Sequence, residues 1–308
     1  QVVFSGDDFK ATFDKQSGLL TSYIYKKQEY IHNGQGPQPF FWRAPTDNDY
    51  GAKLPTRLKA WREASYQTPK AESFNVSKDG DKSIVKVTYR FPQVDAQWEI
   101  TYKVFANGII KVDNRFVAEG TETPMIPRVG LRMQLSEILN DLTYYGRGPE
   151  ENYRDRRTSQ FIGEYTTPIK DLYEPYIRPQ ENEHRTDIYW CALTTKQKAG
   201  LLFIADRTFE LNASNYLLGS LDSGETIDNG APRTKETNHR HLTDPQPVKQ
   251  VDMFIDYRMM GVGGDNSWGA IAHEPYLIRP GVENAIEYGF SIVPFDKKAD
   301  YKNLIYQY

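Results

Sequence analysis

The sequence has little of what marks several protein classes. One cysteine among 308 residues excludes an internal disulfide framework and a cysteine-based zinc site. No run approaches the roughly 18 consecutive apolar residues of a membrane-spanning helix. The 38 basic and 41 acidic residues give a net charge of −3, so there is no basic surplus for nucleic acid or an anionic membrane. These absences predict a soluble globular protein that binds neither.

The single thiol and the first residue each allow a limited inference. Cys191 lies in an apolar run, residues 188–193, which favours a buried inert thiol over a nucleophile. The chain starts at Gln1 rather than Met and shows no signal-peptide pattern. We therefore expect a piece of a longer chain or a matured product. Its compartment, cytoplasm or periplasm, stays open.

Aromatic residues are abundant, since 21 Tyr, 15 Phe and 5 Trp make up 13% of the chain. Aromatic side chains favour strands, whereas the 22 Gly and 18 Pro residues mark turns along the whole sequence. The best helical spacing, at residues 56–64, is short. The composition therefore predicts an all-β protein made of many short strands.

Alternating side chains identify the clearest strands, at residues 82–91 and 98–104. Asn107 and Gly108 precede a further β-rich run at residues 109–116, which predicts a hairpin because both turn residues accept positive φ. Other strands are predicted at residues 10–13, 19–25, 130–135, 142–145, 187–194 (paired with 200–205), 250–257 and 284–294. We find no linker or repeat, so the prediction is one large antiparallel β-sandwich over residues 1–308.

The information on function lies in segments that do not resemble strands. Residues 40–62, 146–183, 212–242 and 261–280 are long, polar and rich in Gly, Pro and aromatic side chains. Long segments without regular structure are uncommon in compact domains and are usually functional or disordered. Because these contain Trp and Tyr, we expect functional loops.

An acidic cluster in the first of these segments, Asp47, Asn48 and Asp49, follows an aromatic triplet. A calcium loop would need Glu near its twelfth position, where Leu58 stands, so that site is rejected. Two interpretations stay open. The cluster is either an Asx-rich turn anchored by buried rings or a polar loop at a sugar site.

The second segment holds several carboxylates among arginines. Its glycines lack the spacing of a dinucleotide or phosphate site. Paired carboxylates can hydrolyse glycosides, which makes Glu150 with Glu151, or Glu181 with Glu183, formal candidates. Ion pairs are the favoured interpretation, with partners Arg147, Arg154, Arg156 and Arg157.

Two further features could bind ligands. His239 and His241 share a strand face as metal ligands do, but without an evident third ligand a structural pair is favoured. Trp268 ends a glycine-rich loop. An indole there could stack on a pyranose whose hydroxyls reach Asp265 and Asn266, or it could cap the core, which spacing alone favours.

Five motifs, taken together, resemble one known domain. They are Phe41-Trp-Arg-Ala-Pro-Thr-Asp-Asn-Asp-Tyr-Gly51, Gly146-Arg-Gly-Pro-Glu-Glu-Asn-Tyr-Arg-Asp-Arg156, Tyr173-Glu-Pro-Tyr-Ile-Arg-Pro-Gln-Glu-Asn182, Asn238-His-Arg-His241 and Gly261-Val-Gly-Gly-Asp-Asn-Ser-Trp268. In this order, over nearly the whole chain, they resemble the C-terminal, small-chain domain of the large bacterial β-galactosidases of glycoside hydrolase family 2.

The resemblance implies a galactose-mutarotase-like β-supersandwich. It also implies that the chain is the last domain of a retaining β-galactosidase, whose two catalytic glutamates lie on a (β/α)₈ barrel absent from this sequence. No catalytic residue, metal site or cofactor is then expected in this chain. Magnesium and sodium are expected in the other domains of the parent. Those domains would be the partners of this chain, and the parent is expected to be a homo-oligomer.

Carried over residue by residue, Trp268 matches the tryptophan that stacks on the aglycone sugar. Substrate contacts are expected from Asp265, Asn266, Asp47, Asn48 and Asp49. The resemblance makes residues 51–56 a mobile active-site loop, with Gly51 as hinge and Pro55 as a stiffening element. That loop comprises Gly51, Ala52, Lys53, Leu54, Pro55 and Thr56. The motifs at 146–156 and 173–182 are expected to be scaffold or interdomain contacts.

Two alternatives remain open at this point. One is a stand-alone carbohydrate-binding module, which would bind sugar without a barrel. The other is an aldose mutarotase or epimerase, for which His184 with Glu181 or Glu183 is the nearest acid–base set.

Overall fold

Antiparallel strands make up most of the computed structural model, which describes residues 1–119, 125–222, 241–266, 268–281 and 285–307. The strands in these ranges are β1 (Val2–Ser5), β2 (Phe9–Phe13), β3 (Leu20–Tyr25), β4 (Gln28–Glu29), β5 (Gln38–Phe40), β6 (Ser73–Asp79), β7 (Lys82–Phe91), β8 (Ala96–Val104), β9 (Ile110–Ala118), β10 (Arg128–Leu135), β11 (Leu139–Gly148), β12 (Phe161–Pro168), β13 (Arg185–Thr195), β14 (Gly200–Ser214), β15 (Val251–Met259) and β16 (Ile286–Phe295). The α-helices are α1 (Asp47–Gly51), α2 (Leu54–Arg57), α3 (Lys59–Tyr66), α4 (Leu218–Leu221) and α5 (Tyr301–Ile305). The all-β prediction is confirmed.

Two antiparallel sheets organise these strands. A four-stranded sheet has the order β1-β2-β3-β4. A twelve-stranded sheet runs β12-β11-β13-β14-β16-β9-β8-β7-β6, and β15, β10 and β5 branch from it at β14. The branch exists because β14 changes neighbours: residues 200–205 pair with β16, and residues 210–214 pair with β15.

The alternating segments form the strands expected of them. Strand β7 has the predicted bounds, and in β8 every second residue is buried. The predicted hairpin joins β8 to β9, with Val104 opposite Ile110. Its turn differs from the expected two-residue form, because Gly108 has a φ of 91° and Asn107 does not have positive φ. The amide of Gly108 donates to Phe105 O over 3.0 Å, closing a wider turn.

The sequence patterns missed β1, β4, β5, β6 and β12. Strand β12 lies at one edge of the large sheet, with half or more of its positions exposed, so it lacks the alternation that identifies a half-buried strand. Its presence corrects the expectation that residues 146–183 lack strands. The segment 40–62 likewise holds helices, and the helix expected at 56–64 is displaced to α3.

Aromatic rings fill the centre of the main core. Phe41 lies 5.1 Å from the ring centroid of Trp61, 5.0 Å from that of Phe91 and 5.4 Å from that of Phe116. Each such pair adds about 1 kcal/mol beyond the burial of its area. The triplet containing Phe41 is therefore an anchor that holds the start of the 40–62 segment against the sheet.

The burial of Cys191 and the lengths of the helices test two predictions, the inert thiol and the lack of a membrane-spanning helix. Cys191 is buried in the core, and burial raises the pKa of its thiol, so the inert-thiol interpretation is confirmed. In the described ranges, each helix falls short of the length and apolarity needed to cross a bilayer.

Candidate functional site

Residues from the segments 40–62 and 146–183 and from the glycine-rich loop meet at a cleft of about 250 Å³. The loop is residues 261–266 and 268–269. The side chains that line the cleft are Thr46, Asp47, Asn48, Tyr153, Arg156, Tyr176, Gln180, Glu181 and Val262. They come from four of the five sequence motifs, so the fold assembles these motifs into one place. The remaining motif, 238–241, lies outside the described residues up to residue 240, and with it the predicted His239–His241 pair.

The first wall of the cleft is the start of helix α1. Thr46 caps this helix: its hydroxyl accepts from Asp49 N over 3.2 Å, and the Asp49 carboxylate accepts from Thr46 N over 3.0 Å. This reciprocal pair turns Asp49 inward and leaves Asp47 and Asn48 lining the cleft.

Arg43 explains why Asp49 is buried. Its guanidinium binds both Asp49 carboxylate oxygens, at 3.0 and 2.7 Å, and also donates to the carbonyl oxygens of Met260 (2.6 Å) and Gly261 (3.1 Å). One buried side chain therefore ties helix α1 to the glycine-rich loop. The expectation that Asp49 contacts substrate is corrected, because both of its oxygens are engaged in the interior.

The glycine-rich loop is held from below by Asp155. Its carboxylate accepts from Val262 N over 3.1 Å and from Gly263 N over 2.7 Å. A Cβ atom at Gly261 would come within 2.7 Å of that carboxylate, so a larger residue would push the two apart. The glycine at 261 is thus required by a close approach of side chain to backbone.

Trp268 at the end of this loop projects into solvent, and 90% of the residue's surface is exposed. The interpretation of Trp268 as a cap on the core is therefore wrong. Its amide donates to Asn266 Oδ1 over 2.9 Å, and Asp265 lies 2.8 Å from His273 Nε2. The three residues predicted to contact sugar here are all exposed at the loop tip.

The segment predicted to be mobile lies beside this tip. Residue Gly269 has a φ of 126°, and a Cβ atom there would lie 3.3 Å from Gly51 O. Gly51 itself has helical backbone at the end of α1, and the left-handed residue of the segment is Lys53, with a φ of 57°. Ala52, Leu54 and Pro55 are buried, so the segment is packed against the core in this conformation.

The opposite wall is organised by Glu151. Its carboxylate accepts hydrogen bonds from Arg156 over 2.8 Å, from the Tyr176 hydroxyl, and from Glu183 N over 2.9 Å. Burial and then the Glu151 carboxylate raise the pKa of Tyr176 to about 12, so its hydroxyl stays protonated as a donor. The ion-pair interpretation is confirmed for Glu151.

The other arginines of that segment pair elsewhere. Arg147 and Arg157 both bind Asp187, each at 2.8 Å, and Arg154 lies 3.3 Å from Glu210. The expectation that they pair with the glutamates of the motif is therefore corrected. The sequence could not show it, because Asp187 lies on strand β13, far along the chain.

Under the cleft lies a buried polar network. The Arg128 guanidinium binds Glu181 at 3.0 Å and Asn212 at 2.9 Å, and lies 3.1 Å from Asp256. His184 contacts Asn212 through Nδ1 at 2.8 Å and Glu210 through Nε2 at 3.0 Å.

This network engages the side chains that the epimerase alternative would need as acid and base, His184 with Glu181 or Glu183. Both ring nitrogens of His184 are bonded within the core, and its side chain is fully buried. The Glu183 carboxylate accepts from the Ser214 hydroxyl over 3.0 Å, and burial raises its pKa well above the usual range. His184 and Glu183 therefore do not face a sugar-sized cleft.

Sequence reasoning assigned no ligand contact to four residues that line the opposite wall of the cleft: Tyr153, Arg156, Tyr176 and Gln180. The sequence did offer one signal for them, the Tyr and Arg residues within the motifs 146–156 and 173–182, which were otherwise expected to be scaffold or interdomain contacts. Their motifs do supply scaffold through Glu151, and they also supply the surface of one wall. Which residues point outward depends on the Glu151 contacts, which no spacing predicts.

The described residues contain no group of three or more His, Cys, Asp or Glu side chains arranged to hold a metal ion. The carboxylates nearest the cleft are instead bonded to arginines and backbone amides. The expectation that metals bind to other domains stays a prediction.

Comparison with known proteins places the chain in a family. Residues 5–292 match the family described as beta galactosidase small chain. A β-galactosidase of Priestia megaterium is 33% identical over 274 residues, covering 89% of this chain and 25% of the relative. A β-galactosidase of Halalkalibacterium halodurans is 30% identical over 291 residues, covering 93% and 27%. The chain thus spans about a quarter of the length of these relatives.

The fold is similar to a solved structure of galactose 1-epimerase from Lactobacillus acidophilus. The TM-score is 0.54 at 9% identity, and the match covers 96% of this chain and 93% of that structure. This likeness concerns the fold and agrees with the expected mutarotase-like architecture. With its sequence matches, motifs and fold in agreement, the chain belongs to the β-galactosidase small-chain family.

Proposed function

We propose that this chain is the C-terminal domain of a retaining β-galactosidase, which hydrolyses terminal β-D-galactosyl residues. The chain completes the mouth of the active site and binds the aglycone sugar, while the catalytic glutamates lie on a barrel domain. The observation that carries the proposal is the exposed Trp268 indole at the tip of the glycine-rich loop, whose Val262 lines the cleft where the motifs meet. The relatives extend far beyond the matched part, which leaves room for a barrel.

The chemistry of the loop tip suits an aglycone sugar. The apolar C–H face of a pyranose can lie on the Trp268 indole, since an exposed indole offers a flat apolar surface with one polar edge. Asp265 and Asn266 on the same loop, with Asp47 and Asn48 at the cleft, offer oxygens and an amide to sugar hydroxyls.

The carboxylates of this chain near the cleft support a non-catalytic role. A retaining glycosidase needs two carboxyl groups about 5–5.5 Å apart, one of which must reach the anomeric carbon. Here Glu151 is bonded to Arg156 and a backbone amide, and Glu181 is bonded to Arg128 and Ala44 N. Both hold the walls of the cleft in place, so the reacting carboxylates are proposed to come from the barrel.

The segment 51–56 is proposed to open and close at the mouth when substrate binds. Its contact with the tip through Gly51 and Gly269 would couple such a movement to Trp268. Lys53 is the candidate hinge rather than Gly51, because a non-glycine residue in left-handed backbone is the strained point of the segment. We further propose that the remaining domains of the parent bind magnesium and sodium and that the parent is a homo-oligomer.

The test uses the complete enzyme with the substitution Trp268→Ala. We expect the KM for a β-galactosyl disaccharide to rise about tenfold, from a loss of about 1.4 kcal/mol, and the KM for an aryl galactoside to change less. Phe161→Ala is the matched control, because Phe161 is also a largely exposed aromatic residue, and it should change neither value. Equal losses for both substrates would show that Trp268 is not an aglycone platform.

A further inference from the structure

A second and larger cavity opens where β14 changes neighbours. Residues 200–205 pair with β16 and residues 210–214 pair with β15, so residues 206–208 are exposed between the two partners. The cavity there has a volume of about 850 Å³ and shares no lining residue with the cleft beside Trp268. Its shape follows from the divergence of β15 and β16 on either side of the exposed stretch.

The acidic side chains in this cavity already have cationic partners. Asp113 lies 2.8 Å from Lys103, Glu99 lies 2.8 Å from Lys86, and Glu287 lies 3.5 Å from Arg115. Asp206 pairs with Lys111. The carboxylates lining the cavity are therefore neutralised by lysine and arginine.

Two arginines that line the same cavity have no carboxylate partner among the described residues. Arg207 and Arg258 line it, and within the described part of the chain neither has a carboxylate within ion-pair distance. Arg258 Nε is buried and lacks a hydrogen-bond partner among the described residues, as does Arg154 Nε at the rim. Because Arg207 and Arg258 line the cavity without a carboxylate partner among the described residues, the cavity favours an incoming group with negative charge.

The remaining lining indicates what the acceptor is attached to. The ring of Tyr257 lies 5.0 Å below the Arg258 guanidinium and 6.2 Å from the ring of Tyr288. Thr101 and Thr208 add hydroxyl groups. A cavity of about 850 Å³ is far larger than an inorganic ion and suits a polar organic molecule. Planar guanidinium groups bind carboxylates through two parallel hydrogen bonds.

We propose that this cavity binds an acidic saccharide, a sugar unit bearing a carboxylate that Arg258 and Arg207 bind while its ring lies against Tyr257. This site does not depend on the proposed β-galactosidase function, because it shares no residue with the cleft beside Trp268. It adds a class of ligand, the uronic acid, that the neutral-sugar role of the cleft does not include.

The test measures binding of digalacturonate to the full chain by calorimetry, with neutral digalactose and acetate as the comparison probes. We expect digalacturonate to bind at least tenfold more tightly than either, and its affinity to fall as salt is raised, since the contact is between charges. Equal binding of the two disaccharides would overturn the proposal. Acetate that binds as tightly as digalacturonate would reduce the cavity to an adventitious ion site only.

Substitutions locate the site. Arg258→Gln and, separately, Arg207→Gln should each weaken digalacturonate binding about tenfold or more, whereas Arg258→Lys should retain an intermediate affinity because it keeps charge but loses the planar fork. Arg90→Gln is the control, since this arginine is exposed on β7 outside the cavity. Because Arg207 is exposed, its variant should fold even if the Arg258 variant does not. Unchanged binding in Arg207→Gln would contradict the proposal.

Discussion

The cleft and the buried network beneath it share Glu181, yet they differ in what their charged side chains contact. At the tip of the glycine-rich loop next to the cleft, Trp268 and Asp265 face solvent. Directly below, Arg128 is fully buried and surrounded by carboxylate and amide oxygens at about 3 Å. The comparison shows two different roles: the buried network stabilises the fold, and the exposed loop tip is accessible to a ligand. Substitutions in the network should lower stability, and substitutions at the tip should leave stability intact.

The largest effect is expected from Arg128→Ala. This change leaves the carboxylates of Glu181 and Asp256 buried without their cation, which should lower the free energy of unfolding by about 3–5 kcal/mol. Urea denaturation measures it. The control is Arg90→Ala, whose ion pair with Glu72 is half exposed and should contribute less than about 1 kcal/mol. Similar losses in both variants would remove the distinction between the network and the surface.

The network should also make stability depend on pH. Burial raises the pKa of Asp256 from 3.8 to about 7, although the Arg128 charge opposes part of that rise. Burial alone would lower the pKa of His184, but the Glu210 carboxylate raises it above 6.5. Both groups hold protons more tightly in the folded state, so this stabilisation is present at low pH and is lost as pH rises.

We therefore expect the free energy of unfolding to fall between about pH 4 and pH 7, by an amount on the order of 4 kcal/mol for Asp256. Asp256→Asn should flatten this decline, because the amide does not ionise. The comparison variant Asp81→Asn changes an exposed carboxylate and should leave the slope as it is. A wild-type protein that gains stability over the same range would contradict the assignment.

A smaller effect is expected at the anchor of the glycine-rich loop. Asp155→Ala removes the acceptor for two loop amides, Val262 N and Gly263 N, and should cost about 1–3 kcal/mol. Hydrogen exchange of those two amides should accelerate in the variant. The control Asp265→Ala, at an exposed residue of the same loop, should leave their exchange rates unchanged. Unchanged exchange in Asp155→Ala would show that the loop is held by other contacts.

The smallest effect on stability is expected from Trp268→Ala. Since this side chain is almost fully exposed, its removal should change the free energy of unfolding by less than about 0.5 kcal/mol. Urea denaturation again provides the measurement. A loss above about 2 kcal/mol would mean that the indole packs in the folded protein, and the contrast between tip and network would fail.

Alternating side chains in the sequence identified strands β7 and β8 most clearly. Strands β7 and β8 have one buried and one solvent-facing side, and alternation is the direct consequence of such a position. Strand β12 escaped prediction because it is an exposed edge strand without a buried stripe. The helices α1 and α2 were also missed, since they are four or five residues long and carry too few turns to establish a period.

The site was predictable in location but not in orientation. The motifs identified the segments that meet at the cleft, and the resemblance assigned Trp268 to the site. Three adjacent residues, Asp47, Asn48 and Asp49, look equivalent in sequence, yet only Asp49 turns inward to bind Arg43. That choice depends on where the Arg43 guanidinium lies, which follows from tertiary packing.

The most direct test of the central claim is hydrolysis of an aryl β-galactoside by this chain alone, measured beside the intact parent enzyme. We predict an active parent and a silent chain, because the glutamates near this cleft are engaged in holding its walls. Turnover by the chain itself would contradict the account, since it would show that the chain carries its own pair of reacting carboxylates.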